Sequence, residues 1–227
     1  MTGGDKMAKR TSSGPTKERF VEETLALITE QGGSQGVDLR QVARRVGCHH
    51  TNAYNYFASF DDLLWEATRR TLVVYAEHLV SGLDDSMPQL DYFRRLVTSL
   101  ASFPQDNPGL HRFLGAEPIP GGVIPDDVLD TVGRIKTWLF AAFTAVSGSR
   151  IDPAEAEDFC NITFGYIEGE SIDLINGRVV PGEDIAGRMV RNSVLLFTTL
   201  TRAEPGQTYP PPPDGYPKLR LDDAASG

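Results

Sequence analysis

The sequence predicts an all-α chain, and three observations carry that expectation. Apolar residues recur at three- and four-residue spacing between punctuating glycines and prolines, polar caps precede most of these runs, and no segment sustains the alternation of a strand. Hydrophobic residues make up 40% of the 227, ample for a packed core. The longest charge-free apolar stretch, Thr137 to Ser149, has 13 residues. A membrane span needs roughly 20, so no membrane helix is expected. No apolar run of signal-peptide length follows the N-terminal charges, and Cys48 and Cys160 stand far apart, which fits reduced thiols and a cytoplasmic protein.

Residues 1–15 lack apolar periodicity and read as a flexible basic arm. From Thr16, the residues Phe20, Val21, Thr24, Leu27 and Ile28 define a first helix that Gly32-Gly33 stops, because glycine takes the left-handed conformation without steric cost. Asp38 with Gln41 three residues on has the form of a capping box and opens a short second helix through Val46, ended by Gly47. Thr51 to Phe57 gives a third helix, too brief to stand alone. Asp61-Asp62 place carboxylates at the positive end of a longer helix running to about Gly82. Pro88 starts the next, which reaches Pro104, and a short helix follows Asn107-Pro108. The Pro- and Gly-rich stretch 117–125 is a loop, after which Asp126 caps a helix centred on Trp138 to Phe143. Asp152-Pro153 starts a helix to about Asn176, and a last one spans about Glu183 to Arg202. Both are apolar on more than one face, more than one core needs. Residues 203–227 form a Pro-rich tail that contributes no core.

Taken whole, a net charge of −9 speaks against a polyanion binder. The sum hides a split: residues 1–60 carry eight basic and six acidic side chains, whereas the other 167 carry 14 basic and 25 acidic. A basic end on an acidic body is the charge pattern of a nucleic-acid-binding module attached to something else.

Three helices within about 45 residues, the second and third joined by a glycine-containing turn, match the helix-turn-helix arrangement. His49, His50, Thr51, Asn52 and Asn55 then offer short polar groups to base edges and phosphates, while Tyr54 and Tyr56 reach the backbone through their hydroxyls. Lys17, Arg40 and Gln41 complete the expected DNA-facing set. Cys48, His49 and His50 are consecutive, so they cannot readily converge on one metal ion, and no metal or cofactor is expected.

The run Asp38 to Gly47, followed by Asn52-Ala-Tyr-Asn-Tyr-Phe57 and Ser59 to Leu64, resembles the DNA-binding domain of the TetR family of bacterial regulators over about Arg19 to Leu64. Two positions depart from the family pattern, His50 and Phe60 standing where lysine is common, which removes two phosphate contacts. The resemblance implies a helix-turn-helix domain over 16–62 and an effector-binding and dimerisation domain over 63–202. It also implies an Ω-shaped homodimer joined through the last two helices, a palindromic double-stranded DNA operator and a small-molecule effector. A repressor released by a largely apolar effector is the expected function.

Within that frame Phe103, His111, Phe113, Trp138, Phe143, Phe164 and Glu168 are the candidate effector-lining residues, His111 and Glu168 as polar fixtures in an apolar site. Ile162, Gly165, Gly169, Ile172, Met189, Val190 and Phe197 are the candidate dimer contacts. The glycine pair suits close approach of a partner, although packing within the chain or on a ligand would serve equally. No nucleophile motif, phosphate loop or zinc-protease run is present, so catalysis is not expected. An all-helical enzyme and a helical protein adaptor are the alternative functions.

Overall fold

The computed structural model describes residues 15–118 and 122–202. The expected basic arm before Pro15 and the Pro-rich tail from Ala203 lie outside the described residues. Helices α1 (Lys17–Gln31) and α2 (Leu39–Val46) are followed by a 3₁₀ helix (His50–Asn55), then α3 (Phe60–Val80), α4 (Gln89–Asp106), α5 (Pro108–Gly115) and α6 (Asp126–Ser147). A short 3₁₀ turn, Gly148–Arg150, leads to α7 (Pro153–Ile175) and α8 (Ile185–Thr201), and no strand occurs among the described residues.

Local chemistry accounts for most of the ends. Thr16 accepts from the Arg19 N–H at the start of α1, and Gly32 closes it at φ 73°. Asp152 and Glu155 form a complete capping box with Pro153 in the first turn of α7. The box expected at α2 is half formed. Asp38 accepts from the Arg40 and Gln41 N–H groups, but the Gln41 side chain accepts from Gln31 at 3.1 Å instead of reaching back. The third helix is 3₁₀: its six residues, His50–Asn55, held between the Gly47 turn and the Ser59 cap, close with i to i+3 bonds, such as Tyr56 N–H to the Ala53 carbonyl at 2.9 Å. Asp126 proves to be the first residue of α6, not its cap, and α4 runs two residues past Pro104 at its weakly constrained end.

Two cores form. A smaller one, the head, gathers Phe20, Ile28, Val42, Ala53, Phe57 and Leu63 from the first helices. Phe103, Leu110 and Phe113 from α4 and α5 complete it. The larger one, the body, centres on Phe93, which stacks on Phe197 at 4.3 Å between ring centroids and meets Phe143 edge-on at 5.4 Å. Helix α3 passes through both, giving Leu63, Leu64 and Ala67 to the head and Leu72, Ala76 and Leu79 to the body. The expected division between residues 62 and 63 therefore falls inside one continuous helix.

Helix α5 is the joint between them. A Cβ on Gly109 would stand 2.5 Å from the Ile28 carbonyl, so only glycine lets α5 approach α1 this closely. Arg112 donates to the carbonyl of Gly32 at 2.6 Å and to that of Ile175 at 2.5 Å, tying the C-terminal ends of α1 and α7 through one guanidinium. Just beyond α5, Glu117 accepts from the Ser34 N–H and hydroxyl at 2.7 and 2.6 Å. A second brace crosses the surface. Lys17 pairs with Glu66 at 2.9 Å, Glu66 with Arg69, and Arg69 with Asp127 at the start of α6 at 2.5 Å.

Candidate functional site

The head presents one polar edge. His49 caps the 3₁₀ helix, its Nδ1 lying 2.9 Å from the Thr51 hydroxyl, and its ring lies against that of His50, tilted by 41° with centroids 4.3 Å apart. Thr51 and Asn55 are exposed, His50 and Asn52 half-buried, and Tyr54 is 56% exposed. Ala53 and Phe57 turn inward, so the segment is anchored from behind by the residues between its polar ones. Arg19, donating to the Val46 carbonyl at 3.0 Å, ties α1 to the end of α2. Asp62 accepts from the Ala58 N–H at 2.9 Å and fixes the exit into α3.

Some expected DNA-facing residues are already engaged. Tyr56 is 40% exposed, but its hydroxyl donates to the Pro15 carbonyl at 2.7 Å, which leaves only its lone pair for another donor. Lys17 is held by Glu66 and Gln41 by Gln31. Arg45 is turned back onto Glu23 and Glu30 of α1. Arg40 and Arg44 are exposed and carry no ion pair among the described residues, which makes them the free cations of α2. Phe60, where the family resemblance leads one to look for lysine, packs half-buried on the head core.

The expected effector-lining set divides. Phe103 and Phe113 belong to the head core, whereas Trp138 and Phe143 belong to the body core, and Phe164 packs half-buried on the latter. Phe143 is wedged between Phe93 and Phe159, so its ring serves packing. The two polar fixtures do meet: His111 Nε2 of α5 lies 3.4 Å from Glu168 Oε2 of α7. Phe103 lies beside His111, and Tyr75 of α3 packs on Phe103 with centroids 4.9 Å apart. Burial pushes the Glu168 carboxyl up to about 7, and the His111 imidazole below its ordinary value. The Tyr75 phenol is raised, first by burial and then by the neighbouring Glu168.

A separate open groove of about 1000 Å³ runs between α1, α3 and α6, floored by Val21, Leu25, Val73 and Leu129 and rimmed by the Glu66–Arg69–Asp127 pairs. None of the expected effector-lining residues lines it.

The α7–α8 pair bears an apolar face open to solvent. Ile162 is 58% exposed and Ile172 36%, and a Cβ built on Gly165 or Gly169 meets nothing within 4 Å. Packing within the chain is thus not the reason for glycine there. Met189 and Phe197, expected at a subunit contact, are instead fully buried in the chain's own core, Val190 half-buried beside them. A helix apolar on two sides does not declare which side faces inward. The outward stripe of α8 is Asn192, Leu195 and Thr199, with Leu195 66% exposed. Asn192 donates to the Tyr166 hydroxyl at 2.8 Å and joins this stripe to that of α7. Sequence reasoning does not single out Leu195, because it adjoins Leu196 in a continuous apolar run and periodicity alone does not separate the two.

No protein-family profile and no curated protein matches this sequence. Solved structures do. A transcriptional regulator from Rhodococcus sp. Rha1 is 15% identical with a TM-score of 0.66, the match covering 82% of this chain and 97% of that one. A TetR-family transcriptional regulator from Streptomyces coelicolor is 16% identical at 0.63, covering 82% of each chain. A TetR variant from Acinetobacter baumannii AYE, solved in complex with minocycline, is 13% identical at 0.56, covering 83% of this chain and 97% of that one. Among the described residues no helix is long and apolar enough to cross a membrane. The three-helix head, the shared connecting helix and the all-helical body together give this chain the fold of the TetR-family transcriptional regulators.

Proposed function

We propose that this chain is a member of the TetR family: a homodimeric, cytoplasmic regulator that reads a palindromic operator with the His50–Asn55 segment and leaves it when a small, largely apolar effector binds the body. The observation that carries the reading is the polar edge of the head. His49, Thr51, Asn52 and Asn55 stand on a buried core, with Arg40 and Arg44 of α2 exposed and without an ion pair among the described residues. In a helix-turn-helix this edge enters the major groove and the preceding helix lies across the phosphates. Asn52 and Asn55 supply paired donors and acceptors suited to base edges, and the two arginines supply sequence-independent affinity.

Dimerisation through α7 and α8 places a second head at the far end. The open glycines let the partner's helices approach closely around Ile162, Ile172 and Leu195, and an interface on the order of 2,000 Å² is required for an obligate dimer. The two heads then meet half-sites about 34–36 Å apart or a multiple of it. Helix α5 supplies the coupling, because Gly109 and Arg112 bind it to α1 while Arg112 and His111 bind it to α7. An effector that shifts α5 against α7 moves the head, and by reciprocity it binds the DNA-free form more tightly by the factor through which it weakens DNA binding.

Selection of bound sequences from random duplex DNA tests the proposal. A palindrome is the expected product, and recovery of no sequence preference by the full-length chain overturns the reading.

A further inference from the structure

Resting on the regulator reading above, we propose that Glu168, with His111 and Tyr75 around it, is the polar anchor of an effector site selective for amphiphiles that carry a protonated amine. The three side chains converge from three different helices, α7, α5 and α3. Glu168 has only a loose partner in His111 at 3.4 Å, and among the described residues no lysine or arginine pairs with it. Arg112, the next residue after His111, spends its guanidinium on the Gly32 and Ile175 carbonyls. His78, the other ionisable group of α3 in contact with Phe103, is held by Ser99 and Ser102.

The carboxylate is therefore an acceptor without a strong donor. Its side chain keeps 27% of its exposure, so it is reachable from solvent. Phe164 stands one turn before it on α7 and Leu114 is near the end of α5, both half-buried on the body core, and Phe103 lies beside His111. An alkyl or aryl chain entering there meets rings, while its head meets Glu168.

The sign of the head group follows from this set. An ammonium donates to the carboxylate and stabilises its charged form, whereas a carboxylate ligand brings a second negative charge to a site that already resists one. A hydroxyl donates but gains no charge attraction. The ligand would touch α3, α5 and α7 together, the connecting helix, the joint and a helix of the open face, so the same contact that binds it bears on the position of the head.

The test uses calorimetric titration of the full-length, DNA-free protein with octylamine, octanol and octanoate. Octylamine should saturate at one per chain and bind at least tenfold tighter than octanoate. Its affinity should rise about tenfold from pH 6 to pH 8 as Glu168 ionises, the amine staying protonated throughout, while burial disfavours a charged His111. Glu168→Gln should lose about tenfold for octylamine, flatten the pH profile and cost octanol far less, with an unchanged helical circular-dichroism signal showing that the variant is folded. Octanoate binding as tightly as octylamine, or a variant that keeps both amine affinity and its pH rise, overturns the site. The wild-type pH profile decides without any variant. Binding to a selected DNA palindrome is measured separately: a chain that binds octylamine but no DNA keeps the site and loses the regulator reading, and a chain that binds DNA but not octylamine loses only the site.

Discussion

The head and the α7–α8 pair are both small helical assemblies, yet they finish differently. In the head the aliphatic and phenylalanine side chains have an inside to go to: Phe20, Ile28, Val42 and Leu63 are fully buried, and the outward residues of the His49–Tyr56 segment, His49, Thr51, Tyr54, Asn55 and Tyr56, all carry a polar group. On α7 and α8 the inward stripe, Phe159, Ile167, Met189 and Phe197, is equally complete, but a second apolar stripe through Ile162, Ile172 and Leu195 remains open. One region is closed on itself and turns hydrogen-bonding groups outward, the groups that the proposed function assigns to DNA. The other offers apolar area and two uncovered glycines, the surface on which the proposed dimer would close.

That contrast breaks most decisively at the open face. Replacing Ile162 and Leu195 together by Asp would leave two unpaired carboxylates in the proposed interface, each costing several kcal/mol. Sedimentation equilibrium should show a dimer turning into a monomer, with the helical signal kept; unchanged mass would refute the interface. Phe20→Ala acts on the closed region instead. It should cost about 3–5 kcal/mol of unfolding free energy in urea, because Phe20 meets Phe57 at 6.0 Å between centroids at the centre of the head core.

Glu168, on α7 where it meets His111 of α5, gives a pH-dependent test. Its folded value near 7 lies above the ordinary 4.5, so the unfolded chain ionises first as pH rises. The resulting destabilisation is absent well below pH 4.5, grows through that window and is complete above about 7. Glu168→Gln should therefore match the native chain at pH 4 and exceed its stability by on the order of 3 kcal/mol at pH 8, since each pH unit between the folded and unfolded values is worth about 1.4 kcal/mol. Thermal melts across that range check the sign.

Smaller effects sharpen the reading edge. Asn55→Ala should cost about 1–3 kcal/mol at one base-pair position and relax specificity there, while Arg40→Ala should weaken all sequences alike and lower the salt slope by about one. Asp127→Asn removes the Arg69 pair at a side chain 60% exposed, and at most about 1 kcal/mol of stability should be lost. A larger loss in DNA affinity than in stability would mark the Lys17–Glu66–Arg69–Asp127 brace as part of the coupling.

Several features were legible because their causes are local. Gly32, Asp38, Gly47 and Asp152 act on groups within a few residues, and each stands where its stop or cap was expected. His111 and Glu168 were each expected as polar fixtures of an apolar body, but that they lie 3.4 Å apart is decided by the packing of α5 on α7. The division of the aromatic residues between two cores did not follow, because nothing near Phe103 or Phe113 in the chain states that α4 and α5 lean on the head.

By itself, then, the sequence determined the all-α class, the order and most ends of the helices, and the polar segment between Gly47 and Phe57, all written in caps and periodicity that act over a few residues. Only the tertiary structure decided which stripe of α8 is buried, that Phe143 and Phe197 serve packing, that Tyr56 and Lys17 are already engaged, and that Arg112 reaches the end of a helix 63 residues further along the chain. Those outcomes depend on how whole helices pack, and a helix apolar on two faces fits its core by either of them until its neighbours are in place.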